Sequence, residues 1–96
     1  MLQFIIIAED GHDAEALDRR MTARPSHLEG AAKLKQENHY VIGGATLDEE
    51  GKMNGSVMIV QFETEQELQA WLDIEPYIKG KVWNKVQVKP FRIANV

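Results

Sequence analysis

Cysteine is absent from this 96-residue chain. Its absence excludes disulfide staples, thiolate nucleophiles and cysteine–metal sites together. Serine occurs only at positions 26 and 56. Neither lies in a Gly-x-Ser-x-Gly turn, so a nucleophilic triad has no support. No two histidines stand four residues apart, as a helical zinc motif requires, and no metal is expected. No GxGxxG frame or other cofactor motif is present, and no cofactor is expected. Basic residues are outnumbered, with 11 Lys and Arg against 15 Asp and Glu and a net charge of −4. That balance argues against a protein that coats nucleic acid or an anionic membrane. Apolar runs are too short for a membrane-spanning helix. The opening residues Met1 to Asp10 lack a basic leader and end in acids, so they do not read as a signal peptide. The expected location is the cytoplasm.

What remains is ordinary for a globular domain: 44% hydrophobic and 27% charged residues, without linkers, repeats or low-complexity segments. One domain over residues 1–96 is expected. Leu2 to Ala8 reads as a strand, because it is short, rich in Ile and Phe, and closed by Glu9-Asp10-Gly11. Asp13 to Arg24 reads as a helix with Ala14, Leu17 and Met21 on one face. Pro25 predicts a kink and a second helical piece to about Asn38, with Leu28, Ala31, Ala32 and Lys35 on one face and Leu34 flanking it. Tyr40 to Leu47 and Gly55 to Phe62 read as a hairpin. Thr64-Glu65-Gln66-Glu67 has capping-box spacing and opens a helix that ends near Ile74, before Pro76. Val82 to Ile93 completes the set, with Pro90 at an edge or a bulge.

The order β-α-β-β-α-β is the ferredoxin-like arrangement of an α+β fold. Two helices cover only one side of such a sheet. The first strand nonetheless has Phe4 and Ile6 on one face and Ile5 and Ile7 on the other. The third opposes Val57 and Ile59 to Met58 and Val60. A strand apolar on both faces is buried on both. The simplest cover for the open side is a second copy of the same sheet, giving a homodimer. RNA-recognition domains share the element order, but they stack bases on aromatics of the third strand. Here Ser56, Met58 and Gln61 stand at those positions, and RNA binding is disfavoured.

Of three histidines, His12 reads as a solvated loop residue and His39 as a residue near a helix end. His27, in Arg24-Pro25-Ser26-His27, is either a surface or capping residue or part of a site. Glu75 is either a helix-end acid or a partner for an imidazole, which it would orient and make more basic. A pair would bring an imidazole nitrogen within about 3.2 Å of a carboxylate oxygen, directly or through one water. Gly43-Gly44 leaves two readings open: a bulge or close packing, or room for a ligand against bare backbone.

Several stretches together resemble the YCII, or YciI-like, family over nearly the whole chain. They are Arg24-Pro25-Ser26-His27-Leu28, Gly55-Ser56 through Gln61-Phe62-Glu63, Ala70-Trp71, Glu75-Pro76-Tyr77 and Val88-Lys89-Pro90-Phe91-Arg92. The resemblance implies a dimeric α+β barrel and an active-site cleft with a histidine and an aspartate. The histidine falls on His27. The aspartate falls on Glu75, so this chain has Glu-Pro-Tyr for Asp-Pro-Tyr, and Gly43-Gly44-Ala45 departs from the family's turn. A few relatives are dehydrochlorinases of chlorinated hydroxyquinones. The expectation is a small-molecule enzyme using His27 and Glu75 for elimination or isomerisation, with Arg24, Ser56, Tyr77, Gly43 and Gly44 binding the substrate. The alternative is a non-catalytic dimeric module that binds a small ligand in the same cleft. A third is an interaction domain without ligand.

Overall fold

The computed structural model describes all 96 residues. The elements are β1 (Leu2–Asp10), α1 (Ala16–Gln36), β2 (Tyr40–Leu47), β3 (Met53–Phe62), α2 (Glu65–Ile74), α3 (Pro76–Lys79) and β4 (Trp83–Pro90). The four strands form one antiparallel sheet in the order β2-β3-β1-β4. This is the expected ferredoxin-like α+β fold, with β1 and β3 at the sheet centre and β2 and β4 at its edges. No helix is long and apolar enough to cross a membrane.

Register fixes which residues share a face, because side chains alternate along a strand. Phe4 pairs with Val60, Ile6 with Met58 and Ala8 with Ser56. These face the helices and are all buried. With Leu34, Leu68, Leu72, Tyr77, Val82 and Trp83 they build the core. Ile6 and Val60 have no exposed surface, and burying each contributes about 1.5–3 kcal/mol. The opposite face carries Ile5 paired with Ile59 and Ile7 paired with Val57, with Ile42 alongside Ile59. Ile7 keeps 37% and Ile42 62% of its surface exposed. No element of this chain covers them.

Thr64 caps α2 as its sequence spacing predicts, its hydroxyl accepting from the Glu67 amide at 3.2 Å. Pro90 lies at the end of an edge strand, where a missing N–H is tolerated. Strand ends differ from expectation by a few residues: β1 runs on to Asp10, β3 begins at Met53, and β4 spans Trp83–Pro90 instead of Val82 to Ile93.

Two expectations about the long helix are corrected. First, α1 is one helix, starting at Ala16, and Pro25 lies inside it. Pro25 and Met21, whose carbonyl loses its donor, are both exposed, so water can satisfy that carbonyl. His27 therefore stands mid-helix and not at a helical start. Second, the buried face is neither of those read from the aliphatic residues. Met21 and Leu28 are about half exposed, while Ala16, Arg20, His27 and Leu34 are buried. Arg20 and His27 make up half of the buried residues of α1, which roofs a polar site.

Candidate functional site

Glu75 is placed by its own turn. A residue before proline is held extended, and Glu75 has φ −62° and ψ 125°. Pro76 then occupies the first position of α3, where a proline N lacking hydrogen is no loss. The Glu75 side chain folds back as N-cap, Oε1 accepting from the Tyr77 amide at 3.1 Å. The same Oε1 lies 2.6 Å from Nδ1 of His27. The Glu75 side chain is 3% exposed and that of His27 11%. The added methylene, relative to an aspartate, does not prevent the contact.

A carboxylate at this position only accepts, so Nδ1 of His27 donates. Neutral His27 then carries its proton on Nδ1 and presents Nε2 as a bare acceptor. Nε2 has no partner within the chain and is not sealed from solvent. The imidazole stacks on Tyr77 with ring centres 3.9 Å apart and planes 12° from parallel. Its orientation is thus fixed at the edge by Glu75 and at the face by Tyr77.

A second buried pair lies beside the first. Arg20 directs Nη1 to both oxygens of Asp10 at 3.0 Å and Nη2 to Ser56 Oγ at 2.9 Å. Both charged side chains are 3% exposed. The Arg20 guanidinium carbon also sits 4.7 Å from the Tyr77 ring centre, within cation–π range. Trp83 donates its indole N–H to Ser56 Oγ at 3.1 Å. Ser56 Oγ thereby accepts two hydrogen bonds, which occupies both lone pairs. Its own hydrogen remains free to donate. With its lone pairs engaged, Ser56 is suited to donating to an oxygen and not to nucleophilic attack.

His27, Ser56, Tyr77, Arg24, Gly43 and Gly44 line one cavity of about 90 Å³, together with Arg20, Tyr40 and Met58. That holds about three water molecules at about 30 Å³ each, or part of a small ring. Six of the seven residues singled out from sequence meet at this cavity, and Glu75 holds the seventh place behind His27. Arg24 makes no ion pair and is half-buried at the cavity wall. Burial raises the Tyr77 phenol above its ordinary value, with Arg20 and Arg24 partly opposing. The glycine pair divides its two readings. A Cβ on Gly43 would lie 2.9 Å from the Tyr40 hydroxyl and 3.0 Å from Met58, whereas one on Gly44 would meet nothing. No group of three His, Asp or Glu side chains gathers as a metal site would need.

The sequence reading missed Asp10, Arg20 and Trp83 as site residues. A signal existed: Arg20, Arg24 and His27 follow helical spacing i, i+4, i+7, and so share a face. His39 is accounted for elsewhere, its Nδ1 2.8 Å from the Gln61 carbonyl and its ring stacked on Phe62 at 4.7 Å.

The family model for the YCII-related domain matches residues 2–92. This chain belongs to the YCII family. Protein YciI of Escherichia coli is 33% identical over 95 residues, which span 93% of this chain and 95% of that protein. Among solved structures, a 5-chloro-2-hydroxyhydroquinone dehydrochlorinase from Burkholderia phenoliruptrix, in complex with 2,5-dihydroxybenzoquinone, matches with TM-score 0.81. It is 23% identical, over 96% of this chain and 95% of that one, and the likeness is one of fold. A dimeric ferredoxin-like protein of unknown function from Jannaschia sp. matches with TM-score 0.56 at 13% identity, over 97% and 100% of the two chains. The YCII fold thus places a histidine–carboxylate pair and a doubly held serine at one small cavity of this chain.

Proposed function

We propose that this YCII protein is a small-molecule acid–base enzyme, working as a homodimer on a hydroxylated ring by elimination or isomerisation. The observation that carries the reading is the 2.6 Å contact of His27 Nδ1 with Glu75, which leaves Nε2 free beside the cavity. Nε2 is the general base and takes a proton from the substrate. Glu75 fixes the tautomer and stabilises the imidazolium that forms. The electron pair left behind moves toward a ring oxygen. Ser56 donates its free hydrogen to that oxygen, and Arg24 supplies positive charge at the cavity wall. In an elimination the pair then expels a leaving group from the neighbouring carbon, and the imidazolium returns its proton to solvent or product. Each step uses groups of this chain alone.

The dehydrochlorinase relative in fold, bound to a dihydroxybenzoquinone, supports a ring substrate of that class. The uncovered Ile5, Ile7, Val57 and Ile59, together with the dimeric ferredoxin-like relative in fold, support the homodimer.

The test is chloride release from 5-chloro-2-hydroxyhydroquinone, read with a chloride electrode. Release by the native protein that falls by at least about a hundredfold in His27→Ala is expected, the usual scale for a lost general base. Saturable stabilisation of the fold by this compound without chloride release would replace the enzyme with the binding module.

A further inference from the structure

Behind Glu75 lies a second hollow, of about 450 Å³, between α1 and α2. It shares no lining residue with the cavity at His27. Glu75 is what separates them. Its Oε1 is fully engaged by His27 Nδ1 and the Tyr77 amide. Its Oε2 has no partner in the chain, although the side chain is 97% buried, and this oxygen is not sealed off. Glu75 lines the second hollow and not the first. A carboxylate oxygen so placed calls for a donor arriving through that hollow.

The rest of the hollow states what else such a donor must carry. Its walls include Trp71, Ile74 and His39, and behind them the buried Phe62, whose ring stacks on His39 at 4.7 Å and lies 6.0 Å from that of Trp71. Flat apolar bodies pack on walls of this kind. Its rim has Glu37 and Glu67 against Lys33, and none of the three is in an ion pair. With Glu75 the carboxylates number three, against one lysine and His39, whose Nδ1 is held by the Gln61 carbonyl. The field favours a cation and opposes an anion.

We propose that this hollow is a second ligand site, which takes an aromatic ring bearing a primary amine. The ammonium donates to Glu75 Oε2, and the ring lies against Trp71 and Ile74. Occupancy places a positive charge on the carboxylate that orients His27. The site therefore reports on, and acts on, the His27–Glu75 contact from the side opposite the cavity. Binding itself does not depend on His27 being catalytic, and its test needs no turnover.

The experiment is a titration of the full-length, ¹⁵N-labelled protein with 2-phenylethylamine, followed at the indole N–H signals of Trp71 and Trp83 and at the His27 ring. Trp71 lines the hollow, whereas Trp83 binds Ser56 at the other cavity. A saturable shift of Trp71 and of the His27 Nδ1 proton, with Trp83 unmoved, is expected below about 10 mM. Phenylpropionate, with the same body and opposite charge, should give no saturable shift. Gly30→Leu fills the hollow, since Gly30 lines it and a Cβ there meets no atom within 4 Å. This variant also gains helix propensity, so it should fold and lose the Trp71 response. Glu75→Gln should weaken the amine by about tenfold, the scale of losing a charged hydrogen bond. An absent Trp71 shift, an equal response to phenylpropionate, or undiminished binding by Gly30→Leu overturns the proposal. A shift confined to Trp83 overturns it too, by placing the amine at the other cavity.

Discussion

Replacing Arg20 with methionine keeps most of the side-chain stem and removes the guanidinium. Asp10, 4% exposed, then has no donor, because both its side-chain hydrogen bonds come from Arg20. Breaking one side of a buried pair costs about 3–5 kcal/mol, since the remaining charge stays desolvated. For a domain near 100 residues each kcal/mol moves the midpoint by about 4–8 °C, so Arg20→Met should lower Tm by at least about 12 °C. Removing both charges has a different effect. Arg20→Met with Asp10→Ala leaves no orphan, and Ser56 still accepts from Trp83. The double variant should be more stable than the sum of the single losses predicts, by about 2 kcal/mol. Urea unfolding followed by tryptophan fluorescence measures all four proteins, at one fixed protein concentration because a dimer's stability depends on it. A loss under about 1 kcal/mol in Arg20→Met, or additivity within about 0.5 kcal/mol, would refute the view that this pair is a desolvated unit.

Sedimentation at low micromolar concentration should give about twice the 10.9 kDa chain mass, and Ile59→Lys on the open sheet face should return the monomer. A monomeric native protein would remove the homodimer from the proposal. At high pH the buried Tyr77 phenol keeps the proton that the unfolded chain releases, because its folded value lies above the ordinary 10.0. Its contribution is therefore present below about pH 10 and is lost as pH rises further. Tyr77→Phe should lose less Tm than the native protein between about pH 9 and 11, with half-buried Tyr40 accounting for part of the residual slope. Parallel curves for the two proteins would contradict the assignment.

The element order was readable because short apolar runs bounded by turn residues mark β1, β2 and β3 as strands. The open apolar face was readable because β1 is apolar on both faces, as Ile5 and Ile7 show. The inner face of α1 was not. Aliphatic spacing pointed to Leu17, Met21 and Leu28, yet the helix buries Arg20 and His27. Amphipathic reasoning assumes that the inside of a helix is apolar, and a helix roofing a polar cavity inverts that rule. Pro25 misled for a related reason: its missing hydrogen bond falls on the wet side, where it costs little structure. Of the site, His27, Glu75 and Ser56 were legible through the family's motifs. Arg20 shares a helix face with Arg24 and His27, a signal that went unused, whereas its pairing with Asp10, ten residues away, leaves no local pattern. The short helix α3 escaped because four residues carry no periodicity.

Glu75 caps α3 and holds His27 through the same oxygen. The position of one proton is therefore tied to the winding of a single helical turn. A four-residue helix lies at the low-stability end of any fold. When that turn frays, the cap opens, Oε1 swings away, and the imidazole is no longer obliged to keep its hydrogen on Nδ1. The base at the cavity is thus maintained like a latch, set by a short segment that also grips α1 through Tyr77 stacked on His27. A substitution at Gly80, which lines neither cavity, acquires leverage over the acid–base state of His27 through that turn alone.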